Sequence, residues 1–540
     1  MKRRTLIKGL ATGFSSLYLS RAFGNSLLQP NLNANIAAGP FKPDWDSLAQ
    51  YQVPDWFRDA KFGIWAHWGP QCQPERGDWY ARGMYQEGSD QYKYHVQKYG
   101  HPSKFGFKDV INDWKAESWD PDELVGLYKR AGAQYFFAMA SHHDNLDLWN
   151  SKYQAWNSVN VGPKKDIVAG WAKAAKSHAL PFGLSVHASH AWTFYETSQG
   201  ADKSGEFKDI PYDGKITKAS GKGTWWEKLD PQELYAQNHE VSKTWNWDWV
   251  NGSSVPGKAY CDKFLNRTIE LIDKYEPELI YFDDTALPLW PISDAGLKIA
   301  AHMYNTSIKK HGKLQAALFG KVLNEQQRKC MIWDIERGQS NQIEPLPWQT
   351  DTCIGAWHYD RRIFDDKHYK SAKTVVHTLV DIVSKNGNLL LNIPVRGNGT
   401  IDSEERAIVE GVGAWMQVNS EAIYGTRPWT VFGEGPATDS AAPINAQGFN
   451  EGKGKPFGAE DIRFTTKGKT LYATMLGWPA GNEALVKKLA KNNQLGNVSS
   501  VSLLGNDKLS FEQTEAGLKV KLPENAPCKD AFVLKIEGAI

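Results

Sequence analysis

Eight short apolar runs punctuate the first two thirds of the chain, at Lys61–His67, Gln134–Ser141, Pro181–Ala188, Leu279–Asp283, Leu314–Phe319, Cys330–Ile335, Thr352–Trp357 and Asn388–Ile393. Their hydrophobicity is continuous rather than alternating, which marks strands covered on both faces, as in a parallel sheet. Segments of helical period separate several of them: Pro121–Ala131, Lys165–His178, Tyr260–Tyr275 and Ala372–Ser384. The alternation predicts an α/β chain built as a (β/α)8 TIM-like barrel. Between the fifth, sixth and seventh runs the helices look short or absent, so the expected barrel is irregular. Residues 190–258 are rich in Gly, Lys, Asp and Trp and lack a period, which predicts a long loop insertion over the active-site end.

Past about residue 425 the texture changes. Short alternating segments at Ile462–Thr465, Leu471–Leu476, Ser499–Leu504, Leu518–Leu522 and Ala531–Ile536 are separated by Gly, Asn, Asp and Pro. Period-two alternation bounded by turn residues predicts an antiparallel β-sandwich. The expected organisation is a catalytic barrel over 40–425 and a C-terminal sandwich over 426–540.

The N-terminus reads differently from both. Arg3-Arg4-Thr5-Leu6-Ile7-Lys8 has the twin-arginine form, an apolar stretch follows, and Ala22-Phe23-Gly24 offers a small-residue cleavage site. Residues 1–24 are therefore expected to be an export signal, with the mature protein soluble and periplasmic or secreted. Five scattered cysteines without a CxxC pair predict neither a disulfide scaffold nor a zinc site. A net charge of +2 gives no reason to expect nucleic acid or an anionic membrane as partner. The composition departs from the ordinary in its aromatics, 12% of residues with 23 Trp. Flat side chains in excess suit the C–H faces of sugar rings, besides filling cores.

Chemistry enters where apolar runs end in charge. Leu279-Ile280-Tyr281-Phe282 stops at Asp283 and Asp284, and Trp333-Asp334-Ile335 stops at Glu336. A parallel barrel presents its catalytic groups at the C-terminal ends of its strands. Two carboxylates there are the minimal equipment for cleaving a glycosidic bond. Adjacent strand residues face opposite ways, so only one of Asp283 and Asp284 faces the axis, and periodicity does not choose. Asp334, Glu344 and Asp351 compete with Glu336 for the acid role. Five of the 14 histidines (His67, His142, His143, His187 and His190) collect at three predicted strand ends. That pattern fits recognition of hydroxyl groups, and metal-ligand spacing of the HEXXH kind is absent. Cys72-Gln73-Pro74-Glu75-Arg76 matches the core of a sulfatase motif but lacks its continuation and is read as chance.

Taken in order, several blocks resemble family 29 of the glycoside hydrolases, the retaining α-L-fucosidases. They are Ala60-Lys61-Phe62-Gly63-Ile64 through His67-Trp68-Gly69; Asp78-Trp79-Tyr80; His142-His143-Asp144; Gly162-Pro163-Lys164-Lys165-Asp166; Asn386-Gly387-Asn388-Leu389-Leu390-Leu391-Asn392; and Tyr424-Gly425-Thr426-Arg427-Pro428-Trp429. The resemblance spans Trp56 to Trp429. It implies that Asp283 is the nucleophile, that Glu336 matches the acid/base, and that His67, Trp79, His142 and His143 contact the sugar with Trp357 nearby. It implies neither metal nor organic cofactor. The sequence departs from the family pattern at three places. His187 stands where a sugar-contacting tyrosine is common, Trp348-Gln349 replaces Trp-Glu, and Asn324-Glu325-Gln326 replaces an arginine-bearing segment. The expected activity is that of a retaining exo-α-L-fucosidase acting on a fucose- or L-galactose-containing oligo- or polysaccharide. The alternatives are an exo-α-L-galactosidase and a sugar-binding protein without catalysis.

Overall fold

The computed structural model describes residues 35–244, 249–438, 449–491 and 496–540. The expected export segment and two tryptophans of the 190–258 insertion, Trp245 and Trp247, lie outside the described residues. Eight strands close a barrel in sequence order: β1 Phe62–Ala66, β2 Tyr135–Ser141, β3 Phe182–Val186, β4 Leu279–Thr285, β5 Ala317–Lys321, β6 Ile332–Glu336, β7 Trp348–Cys353 and β8 Gly387–Asn392. Each pairs in parallel with its neighbours, and β8 returns to β1. Outside them pack α1 Pro121–Arg130, α2 Ile167–Ser177, α3 Lys258–Tyr275, α4 Ala295–His311, α5 Ala372–Ser384 and α6 Ser403–Asn419.

Local chemistry explains the elements. In α1, Asp120 caps the first turn by accepting from the amides of Asp122 and Glu123, and Pro121 occupies the first helical position. Acids fill its first turn and Lys129 and Arg130 its last, matching the helix dipole, while Leu124, Val125, Leu127 and Tyr128 are buried. Gly183 in β3 leaves room for the ring of Phe137, which would lie 2.7 Å from an added Cβ. Between β5 and β6 there is a single short 3-10 turn, Gln327–Lys329, and a loop joins β6 to β7, which is the irregularity the pattern predicted.

The seventh strand corrects the sequence reading. It was expected over 352–357 and lies at Trp348–Cys353. Gln349, Thr350, Asp351 and Thr352 are all buried in it, so a search for apolar runs passes over it. Polar side chains fill a barrel interior when they satisfy one another. Gln349 Nε2 donates to Asp334 Oδ2 at 2.8 Å, and Tyr135 Oη donates to Gln349 Oε1 at 3.0 Å.

The described part of the insertion is a run of short turns and helices. It is pinned by Asp213, whose carboxylate accepts from Tyr85 Oη at 2.7 Å, Tyr235 Oη at 2.8 Å and Lys108 Nζ at 3.0 Å.

Two antiparallel sheets follow the barrel. Beyond the segments seen in the sequence they add β9 Arg427–Glu434, β12 Glu483–Val486 and β14 Phe511–Thr514 to β10 Ile462–Lys467, β11 Thr470–Met475, β13 Ser500–Leu503, β15 Gly517–Lys521 and β16 Phe532–Glu537. The orders are β13-β16-β11-β10-β9 and β12-β15-β14. Phe464, Leu471 and Leu534 of one sheet share a core with Val486, Leu518 and Val520 of the other, which makes a sandwich.

A buried charge triad joins sandwich to barrel. Arg463 Nε of β10 donates to Asp381 Oδ1 of α5 at 2.5 Å, and Lys385 Nζ donates to Asp381 Oδ2 at 2.6 Å. All three side chains are at most 3% exposed. Removing the shared acid strands two buried cations, so Asp381→Ala is expected to destabilise the protein by about 3–5 kcal/mol. Denaturant unfolding followed by tryptophan fluorescence measures this. A loss near zero would show that the triad contributes nothing to the joint.

Candidate active site

At the C-terminal end of the barrel a cavity of about 270 Å³ opens where β1 to β7 deliver polar side chains. Asp283 and Glu336 both line it, together with His67, Trp79, His142, His187 and Trp357 from the sequence reading. His143 stands behind the wall, with Nε2 3.2 Å from Asp283 Oδ2 and Nδ1 donating to the His187 carbonyl at 2.8 Å. Its place is support of Asp283 rather than the cavity surface.

Asp283 and Asp284 part as strand geometry requires. The Asp284 carboxylate accepts from Ser189 Oγ at 2.5 Å and His190 Nε2 at 2.8 Å, and the His190 ring stacks on Trp249 at 4.7 Å. Those contacts tie the insertion to the end of β4. Asp283 turns inward to the ammonium of Lys321, which donates to Asp283 Oδ1 at 2.9 Å and to Glu336 Oε2 at 2.5 Å. Lys321 Nζ also lies 3.7 Å from Asp351 Oδ2, whose other donor is Tyr281 Oη at 2.8 Å.

The rival acids have other partners. Asp334 is buried against Gln349 beneath the cavity. Glu344 accepts from Ser340 Oγ and from Arg328 Nη2, each at 2.7 Å, away from the cavity.

These contacts set different charge states. Burial pushes the Asp283 carboxyl up, but the Lys321 ammonium and the imidazoles of His143 and His187 outweigh it and hold Asp283 well below the usual carboxylate range. For Glu336 burial comes first, reinforced by the negative charges of Asp283 and Asp351, and Lys321 offsets only part, so its carboxyl is pushed up to about 7. Two carboxylates in one cavity thus divide into an anion and a proton carrier. Burial, then their mutual repulsion, lowers the imidazoles of His67 and His142 well below the ordinary histidine value, and His187 is lowered to about 4.

Neutral imidazoles both give and accept hydrogen bonds. Both ring nitrogens of His67 are buried without a hydrogen-bond partner, and His142 Nδ1 shares a 2.6 Å contact with Gln71 Nε2. The groups His67, His142, His358 and His142, His143, His187 each bring ring nitrogens within 4.8 Å of one another. Trp65, a residue of β1, forms the floor, with Trp357 at 5.6 Å and Tyr281 at 5.0 Å between ring centroids.

Several lining residues escaped the sequence reading, namely Asp78, Tyr281, Lys321, His358 and Phe449, whereas Asp351, a rival for the acid role there, does line the cavity. For Lys321 the signal was present. Ala317-Leu318-Phe319-Gly320 is an apolar run ending in charge, the same mark that singled out Asp283. His358 follows Trp357 directly, whereas nothing in the local sequence marked Phe449. In the insertion, Trp226 and Trp249 are buried and Trp225 donates from Nε1 to Asp109 Oδ1 at 2.8 Å, and none of the three lines the cavity.

Known proteins resemble this chain over most of its length. A family model described as alpha-L-fucosidase matches residues 28–421, and one described as the alpha-L-fucosidase C-terminal domain matches 455–537. Tissue alpha-L-fucosidase of Bos taurus is 26% identical over 517 residues, covering 92% of this chain and 91% of the bovine one. Plasma alpha-L-fucosidase of Homo sapiens is 25% identical over 538 residues, covering 93% and 94%. The crystal structure of Thermotoga maritima alpha-fucosidase in complex with fucose superposes with a TM-score of 0.66 at 26% identity, covering 92% of this chain and 99% of that one.

Proposed function

The chain belongs to the alpha-L-fucosidase family of glycoside hydrolases, and from that premise we propose that it removes terminal α-L-fucosyl residues from a glycan by double displacement. The observation that carries this reading is the shared ammonium. With Lys321 Nζ 2.9 Å from Asp283 Oδ1 and 2.5 Å from Glu336 Oε2, the two carboxylate oxygens lie no farther apart than the sum of those distances. That upper limit lies below the separation of about 6.5–9.5 Å that admits a water for inversion and is compatible with the shorter gap of retaining enzymes.

In the first step Asp283 attacks the anomeric carbon, the bond to the aglycone oxygen breaks, and Glu336 gives its proton to that oxygen. In the second, Glu336 takes a proton from water, the water oxygen bonds to the anomeric carbon, and the ester to Asp283 breaks. Lys321 keeps Asp283 anionic before attack. Once Asp283 is esterified its charge no longer raises the Glu336 carboxyl, and Glu336 becomes the base the second step needs. His67, Trp79, His142 and His187 would hold ring hydroxyls, and the faces of Trp65 and Trp357 offer an apolar wall for the methyl group of a deoxy sugar.

Lys321 is the only lysine or arginine among the described cavity residues, beside Asp78, Asp283, Asp284, Glu336 and Asp351, which suits a neutral sugar. The departures from the family pattern at His187, Gln349 and Asn324-Glu325-Gln326 support one second reading, hydrolysis of α-L-galactosides. The twin-arginine form of the N-terminus supports action outside the cytoplasm, and no helix among the described residues is long and apolar enough to cross a membrane.

Proton NMR of the first sugar released from nitrophenyl α-L-fucoside tests the mechanism. The α anomer is expected to precede mutarotation, and first release of the β anomer would overturn double displacement. Turnover of the fucoside above that of the α-L-galactoside is the expected preference.

A further inference from the structure

Phe449 is set against the strand that carries Glu336, and its side chain has no core to fill. It lines the catalytic cavity yet is 41% exposed, one of few large apolar residues so open to water. Its backbone is held at φ +50°, a left-handed conformation that bulky side chains adopt only when the surroundings impose it. The surroundings here are a short zipper onto the end of β6. The Phe449 amide donates to the Glu336 carbonyl at 2.9 Å and the Glu451 amide to the Arg337 carbonyl at 3.0 Å. Asn450 is locked on both sides, its Nδ2 donating to the Gln339 carbonyl at 3.0 Å while its Oδ1 accepts from the Gln339 amide at 2.8 Å. Glu451 accepts from Lys370 Nζ at 2.6 Å and from Thr352 Oγ1 at 2.9 Å. Residues 449–451, which lie between β9 and β10 in sequence, are thus held at the barrel rim by their backbone, and the Phe449 side chain lines the cavity that Glu336 also lines.

We propose that Phe449 is the stacking platform for the sugar unit on the leaving-group side of the scissile bond, so that the chain's C-terminal part helps select the aglycone. This rests on the reading of Glu336 as the acid. The proton goes to the departing oxygen, so whatever stands next to Glu336 at the mouth of the cavity meets the group attached to that oxygen. An exposed aromatic ring prefers the apolar C–H face of a pyranose, and it gains most when it is held rigid before the ligand arrives. The occupant is therefore a second sugar ring, bound by one face and with no charge required.

The test compares methyl α-L-fucoside with the fucosyl-galactose disaccharide that the wild-type enzyme cleaves fastest. Both leave as alkoxides that need the acid, but only the disaccharide carries a ring to stack. In Phe449→Ala the ratio of disaccharide to methyl fucoside kcat/KM is expected to fall about tenfold, and in Phe449→Trp to hold. Damage to the placement of Glu336 would slow both substrates alike and leave the ratio where it was, which would overturn the platform. A ratio lost equally in the alanine and tryptophan variants would overturn it too. If the wild-type enzyme cleaved neither substrate, the hydrolytic reading would fall first and the subsite with it. An active wild type with an unmoved ratio sinks the subsite alone.

Discussion

Asp283→Ala is expected to lose roughly 10⁴-fold or more in kcat on every α-L-fucoside, because no other group in the cavity can take its place in covalent bond formation. Asp284 is the nearest rival in sequence, but its oxygens are occupied by Ser189 and His190. Asp351 is held by Tyr281 below the rim. Alanine leaves a space beneath the anomeric carbon, and added azide should enter it, form the carbon–nitrogen bond and expel an activated nitrophenolate. One displacement inverts the centre, so the product is β-L-fucosyl azide, visible by NMR. The variant Asp284→Asn is the comparison, since it keeps shape and loses only a structural charge. Equal losses in the two variants, or α-configured azide, would remove Asp283 from the role.

Glu336→Gln is expected to separate substrates by how much their leaving groups need a proton. General acid assistance contributes about 10²–10⁴-fold where the departing oxygen is a poor leaving group. The loss should therefore reach that size with fucosyl disaccharides and shrink with dinitrophenyl fucoside, whose phenolate leaves unaided. The pH profile supplies a second readout. The Glu336 carboxyl is pushed up to about 7, so the competent protonated form persists below that pH and is lost as pH rises through it. Asp283 is held well below the usual carboxylate range and stays ionised over the same span. Wild-type kcat/KM should accordingly show a plateau on the acidic side and a fall above about 7. Glutamine has no proton to lose, and the basic limb should disappear in the variant. A basic limb that survives the substitution, or a loss independent of leaving group, would assign the proton to another residue.

How much of this was legible in the chain differs from strand to strand. Strands β1 to β4 and β8 announced themselves because their buried residues are apolar on both faces. Strand β7 was displaced in the reading, since Gln349, Thr350, Asp351 and Thr352 are satisfied by partners that sequence does not show. In the sandwich, β9, β12 and β14 carry many half-exposed positions and offer little contrast against turns. Within the site, Asp283, Glu336 and the histidines were visible as polar residues ending apolar runs. Lys321 carries the same mark, but Gly320 interrupts the apolar run just before it, so the pattern predicts a strand that ends at Phe319.

The sequence alone determined the barrel, the sandwich behind it, and the strand ends where carboxylates and imidazoles gather, because hydrophobic periodicity and strand polarity are local properties. Only the tertiary structure decided what those groups do to one another. It turned Asp283 toward Lys321 and Asp284 toward His190, withdrew His143 behind the wall, and brought Phe449 to the mouth from more than a hundred residues away in the chain. Protonation and contact depend on distance and burial across different strands, and no stretch of sequence holds that information.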